Sequence, residues 1–201
     1  MTQTVDPLQD APRPERRGAF FLLFFSLMAI GAGNTMLIAA VLPPMTRELN
    51  LPDWMAGSIF ALSAFWWSVT SPFWGRKSNR WGRRPVAAMG LAGYGLSMTL
   101  LLVFGWLSLN HVITGTALVF ICLAASRSMF GLLGSGANPA AQAYVADRTS
   151  PAERQSQIAF ITSGFSVGTV IGPAVAAALV ATAGLLSPLA VTAVIAFTMS
   201  A

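Results

Sequence analysis

The chain has 201 residues and a formal net charge of +5, yet only 9% of it is charged while 55% is hydrophobic. A soluble domain usually carries about 25% charged residues, so a soluble enzyme core is excluded, and the basic side chains are too few and too localised to build a nucleic-acid surface. A single cysteine, Cys122, sits in an apolar run, which supports neither a disulfide framework nor a metal site.

Five charge-free runs set the class: Gly18–Thr46, Trp54–Gly75, Pro85–Ser126, Ser128–Ala146 and Gln155–Ala201. A bilayer span needs about 20 mostly apolar residues, so the chain reads as an all-α polytopic transmembrane bundle. Residues 1–17 carry prolines and acids and end in Arg16 and Arg17; they read as a disordered cytoplasmic tail. The apolar run behind them exceeds the roughly 7–15 residues of a signal-peptide core, so residues 18–201 form the membrane part.

Helices are predicted at about 19–42, 54–74, 86–107, 114–146, 155–181 and 186–201. Pro43 and Pro44 close the first. Asp53 is placed to cap the second. The fourth is longer than a bilayer core and is expected to tilt or project into the cytoplasm. The last is short of a full span and has no basic anchor behind it, so the chain reads as part of a larger protein. Sorting charges between these spans puts Arg13, Arg16, Arg17, Arg76, Lys77, Arg80, Arg83, Arg84, Arg148 and Arg154 on one side, ten of the twelve basic residues. Basic loops stay cytoplasmic, so the N-terminus is assigned to the cytoplasm.

Within this frame a few residues stand out. Asn34 is a lone amide in the first helix, GNTMLIAAVLPP, where it either contacts substrate or bonds to a neighbouring helix. Between the second and third helices, GRKSNRWGRRP holds five cations and no acid in eleven residues. Charge alone makes it a topology anchor, but Gly75 at a helix end, Gly82 within the loop and Pro85 at a helix start indicate a shaped turn. Arg127 is a cation inside a span, which by default is functional and faces a cavity or a partner; the alternative is pairing with polar helix neighbours. Asn138 and Gln142 on the fourth helix are amides of the same ambiguous kind as Asn34. On the fifth helix Gly164, Gly168 and Gly172 stack on one face, where backbones can approach closely, and Pro173 marks a kink site. Asp147 and Glu153, in ADRTSPAER, are placed to pair with the arginines of the basic loop. The string GFSVG matches a hydrolase nucleophile elbow, but that motif needs a preceding strand and a base nearby; here it lies in an apolar helix, with the single histidine, His111, expected toward the opposite face.

Several of these stretches together resemble the major facilitator superfamily. Its signature loop between helices 2 and 3 is matched by Gly75, Asn79, Arg80, Gly82, Arg83, Arg84 and Pro85, with Asn79 standing where that family usually has an acid and Lys77 where it usually has an apolar residue. The resemblance implies that this loop latches two halves of a transporter in the outward-open state, and that Asn79 softens the latch, because an amide bonds more weakly than a carboxylate. SRSMFGLLGSG resembles the family's helix-4 motif, implying a role for Arg127 in proton coupling or as a cavity charge. Gly164, Gly168, Gly172 and Pro173 resemble its antiporter motif, with Ala176 and Ala177 where two glycines often stand.

Such a resemblance implies the N-terminal six-helix half of a twelve-helix transporter, built as 3+3 inverted repeats, with substrate bound near the midplane between halves. The branch most resembled is the drug:proton antiporters. The expected activity is proton-coupled efflux of drugs or related amphipathic compounds by alternating access, with no cofactor and no metal. Its partners would be a small-molecule substrate, protons, the lipid bilayer and a second six-helix half; nucleic acid is not expected. The location implied is the bacterial inner membrane. Asn34, Asn138 and Gln142 are the candidate substrate contacts. Two alternatives are a truncated, non-transporting half of such a transporter and, more remotely, an intramembrane serine protease using Ser166.

Overall fold

The computed structural model describes residues 17–201, so the tail expected at the N-terminus falls outside the described residues except for the backbone of Arg17. Among the described residues every regular element is helical. The α-helices are α1 (Arg17–Met36), α2 (Leu42–Glu48), α3 (Asp53–Trp81), α4 (Arg83–Leu109), α5 (Thr116–Leu133), α6 (Ala137–Ala146), α7 (Pro151–Ala183) and α8 (Ser187–Ser200). A π-helical turn, Leu37–Val41, joins α1 to α2, and a 3-10 turn, Gly134–Gly136, joins α5 to α6. The eight helices therefore form six rods among the described residues.

Four rods are long and apolar enough to cross a membrane: Gly18–Glu48, Arg83–Leu109, Thr116–Ala146 and Pro151–Ala183. α3 has the length, but its serines, Thr70 and its basic end dilute its hydropathy. α8 is apolar but has 14 residues.

The first rod continues past Pro43 and Pro44, where the sequence predicted a stop. A helix tolerates proline only where a missing N–H was not needed, as in a first turn. The π turn creates such a place: Leu42 donates its N–H back to the Leu37 carbonyl, and α2 restarts with the prolines in its first turn. The second rod likewise runs on to Trp81, so the segment expected as a loop is mostly helix. The chain turns at one residue, Gly82, whose φ of 98° is open to glycine and strained for other residues. Gly75 does not end the helix; it lies inside α3.

Rod-to-rod packing follows an internal two-fold pattern. α1 packs on α7, and α3 packs on α5; α4 packs on α5, and α1 on α8; α4 and α8 pack on each other. Exchanging the first three rods for the last three turns each pairing into its counterpart, as 3+3 inverted repeats require. Close glycine contacts follow the same exchange. A Cβ on Gly31 of α1 would strike the Phe165 carbonyl of α7, and one on Gly131 of α5 would strike the Ser63 carbonyl of α3. Between the rods lies a core including Leu37, Leu42, Met98, Leu101, Leu123 and Ile161, all less than 2% exposed.

Candidate functional site: a cavity walled by Arg127

A cavity of about 550 Å³ opens between α1, α3, α5, α6 and α7. Helical periodicity delivers its walls. From α3 come Phe60, Ser63, Ala64, Trp67 and Ser68, at spacings of three, four, seven and eight residues from the first. From α1 come Leu27, Ile30, Asn34 and Thr35, from the π turn behind it Ile38, and from α7 Phe165 and Thr169. One helix face per rod lines the space. α5 and α6 add Arg127, Phe130 and Asn138.

Arg127 is 3% exposed. Its guanidinium carbon lies 4.5 Å from the Phe130 ring centre and 5.4 Å from that of Phe60. Nη2 donates to Oδ1 of Asn34, while Nε and Nη1 have no hydrogen-bond partner among the described residues. Phe130 is itself clamped, its ring centre 5.0 Å from that of Trp67 and 4.9 Å from that of the fully buried Tyr94. The cation is thus fixed by aromatic faces and one amide, and among the described residues no carboxylate touches it or lines the cavity. Cation–π contacts are worth about 0.5–2 kcal/mol each, whereas removing a charge from water costs several kcal/mol.

Asn138 lines the cavity, and its Oδ1 accepts from Nε2 of Gln142 at 3.0 Å. Gln142 itself does not line the space; it orients Asn138. Thr35, missed in the sequence, sits on the wall and donates to its own helix, to the carbonyls of Ala32 and Gly31 at 3.0 and 3.2 Å. Phe60, Ser63 and Ser68 were also missed; their spacing along α3 marks one helix face without telling a cavity from lipid. Trp67 and Phe165 are wall residues, whereas the neighbouring Trp66 is not.

Gly164, Gly168 and Gly172 stand along the contact of α7 with α1. A Cβ on Gly164 would meet the Phe24 carbonyl, one on Gly168 that of Met28, and one on Gly172 the Thr35 hydroxyl and the Ala32 carbonyl. The three small residues let the two backbones touch. Pro173 lies inside α7 on its exposed side, and the helix continues through it to Ala183.

The basic segment forms a separate cluster at one end of the bundle. Arg83 Nε donates to Asp147 Oδ2 at 3.0 Å, and its Nη1 donates to Ser78 Oγ at 2.7 Å and to Oδ1 of Asn79. Arg83 begins α4, where the positive end of the helix dipole opposes a cation; the Asp147 carboxylate and the two oxygens offset that conflict. Arg80 lies with Arg76, Lys77 and Phe73 on an exposed basic surface, and Lys77 Nζ sits 4.1 Å over the Trp81 ring. Gly75 faces Pro139 of α6, and Arg84 is exposed. The GFSVG string lies within α7, His111 lies in the turn after α4, and among the described residues no serine is hydrogen-bonded to a histidine.

The chain is similar to proteins of drug resistance. Multidrug resistance protein 2 of Bacillus subtilis (strain 168) is 29% identical over 159 residues, covering 79% of this chain and 36% of that protein. The class D tetracycline resistance protein of Salmonella ordonez is 33% identical over 158 residues, 77% of this chain and 36% of that one. The class C protein of Escherichia coli is 31% identical over 151 residues, 74% and 34%. This chain therefore spans about a third of the length of the curated relatives it matches. The Major Facilitator Superfamily profile matches residues 23–201, nearly all of the described bundle, and the chain belongs to that superfamily of membrane transporters.

Proposed function

We propose that the protein transports small molecules by alternating access and exports amphipathic compounds, drugs among them, at the expense of a proton gradient. The observation that carries this reading is the buried Arg127 on the wall of a cavity large enough for a drug-sized molecule. The similarity to multidrug and tetracycline resistance proteins supports efflux as the direction. Asn34 and Asn138 are assigned substrate contact, with Gln142 positioning the latter. Gly164, Gly168 and Gly172 are assigned to the joint that keeps α7 sealed on α1, and Pro173, on the exposed side of α7, to the same antiporter motif as its kink site. Gly75, Asn79, Arg80, Gly82, Arg83 and Arg84 are assigned to the conformational latch.

A second six-helix half would cover apolar surface that α3 and α7 leave exposed, Phe65, Val69, Val167 and Val170 among it. The proton-carrying carboxylate is assigned to that half, because none of the seven acids of this chain lies at the middle of a rod among the described residues. The bacterial inner membrane is the proposed location. The test is dye or tetracycline export from cells or inverted vesicles carrying the intact transporter. Export that stops when a protonophore collapses the gradient supports the coupling; export that continues unchanged refutes it.

A further inference from the structure

The cavity wall is one-sided in formal charge. Arginine has five N–H donors and no acceptor, so the Asn34 amide must turn its oxygen to Arg127, and Asn34 Nδ2 is left with no partner among the described residues. Asn138 is set the same way: its Oδ1 accepts from Gln142, and its Nδ2 makes no hydrogen bond among the described residues. The hydroxyls of Thr35, Ser68 and Thr169 donate to carbonyls of their own helices. Those hydroxyl oxygens, with that of Ser63, keep lone pairs to accept with, so the wall offers acceptors as well as the two amide N–H donors; its one formal charge is positive, with no lining acid among the described residues. A cationic ligand would meet like charge with no lining carboxylate to offset it among the described residues. An anion would meet two free amide donors beside the buried Arg127 charge, whose unpaired Nε and Nη1 are covered and act on it through charge alone.

We propose that the cavity is built for an amphipathic organic anion. Its carboxylate, or an equivalent oxyanion, is held between Asn34 and Asn138 beside the Arg127 charge, and its apolar body packs on Trp67, Phe130 and Phe165. This deepens the transport reading and rests on it for the identity of the cavity as the substrate site. Asn34 has a double role: it orients the guanidinium with its oxygen and the ligand with its nitrogen.

Equilibrium binding to purified protein in phosphatidylcholine nanodiscs tests the assignment, with 2-naphthoate compared against its neutral isostere 2-naphthamide. Naphthoate is expected to bind about tenfold tighter or more, a charge-assisted hydrogen bond's worth of discrimination. Two variants are expected to abolish the preference: Arg127→Gln, which removes the charge, and Asn34→Asp, which supplies the guanidinium with a carboxylate of its own and keeps the buried cation paired. Equal affinity for the two probes in the parent protein, or a preference that survives both substitutions, overturns the proposal. So does exclusion of naphthoate with retention of a naphthylmethylammonium cation, the outcome expected if a carboxylate from elsewhere in the transporter already occupies Arg127. The measurement uses no gradient, so protonophore-insensitive export would remove the coupling and leave this result standing.

Discussion

Arg127 was legible in the sequence because any cation inside a long apolar run is conspicuous. Its partner was not: Asn34 is 93 residues away, and Asn138 and Gln142 were amides of the same ambiguous kind. The contact shows how the cation is held without a carboxylate among the described residues, by two aromatic faces and one amide oxygen. Two of its nitrogens have no partner among the described residues, so the position is poorly explained by stability. Replacing buried ionic groups with apolar side chains of similar volume is often neutral or stabilising by about 1–4 kcal/mol. Arg127→Met is therefore expected to hold or raise the melting temperature of the detergent-purified protein while abolishing export. A marked drop in melting temperature would make Arg127 a structural residue.

At the scale of the element, the sequence was most informative where spacing alone decides geometry. Three glycines four residues apart indicated a close helix contact, and the structure identifies the other helix as α1 and the atoms as backbone carbonyls. It was least informative at helix ends. Pro43 and Pro44 read as a stop, yet a π turn moves them into a new first turn. Gly75 and the cations read as a loop, yet glycine in a helix costs only about 1 kcal/mol, and Lys77 over Trp81 steadies the last turns of α3. A methyl group at Gly168 would drive into the Met28 carbonyl and the Ala32 amide, neither of which can give way without moving α1. Gly168→Ala is expected to destabilise by about 1–3 kcal/mol through overpacking, seen as a lower melting temperature. Gly57→Ala is the control, a helical position where an added Cβ meets nothing within 4 Å. Equal melting of the two variants would show that the α1–α7 contact is looser than this geometry.

For the whole molecule, the six rods were legible because uncharged runs of such length have few other uses, and the lining of the cavity was not, because an aromatic stripe facing a cavity has the same spacing as one facing lipid. What the fold adds is the position of charge. The end of α3, the start of α4 and the end of α6 meet where Arg83 binds Asp147, so Arg76, Lys77, Arg80, Arg84 and Arg148 gather at one end of the bundle, while Arg47 lies toward the other, at the end of α2. A basic excess marks the cytoplasmic side, which gives the bundle a direction that cysteine labelling can read. On a Cys122→Ser background, Val112→Cys lies in the exposed turn between α4 and α5, and Ala152→Cys on the exposed start of α7 at the basic end. A membrane-impermeant maleimide applied to intact cells is expected to label Val112→Cys and spare Ala152→Cys, with the pattern reversed in inverted vesicles. The opposite pattern would place the basic cluster outside the cell, beyond the reach of the rule that assigned it, and would separate the latch residues from the cytoplasmic face on which their proposed role depends.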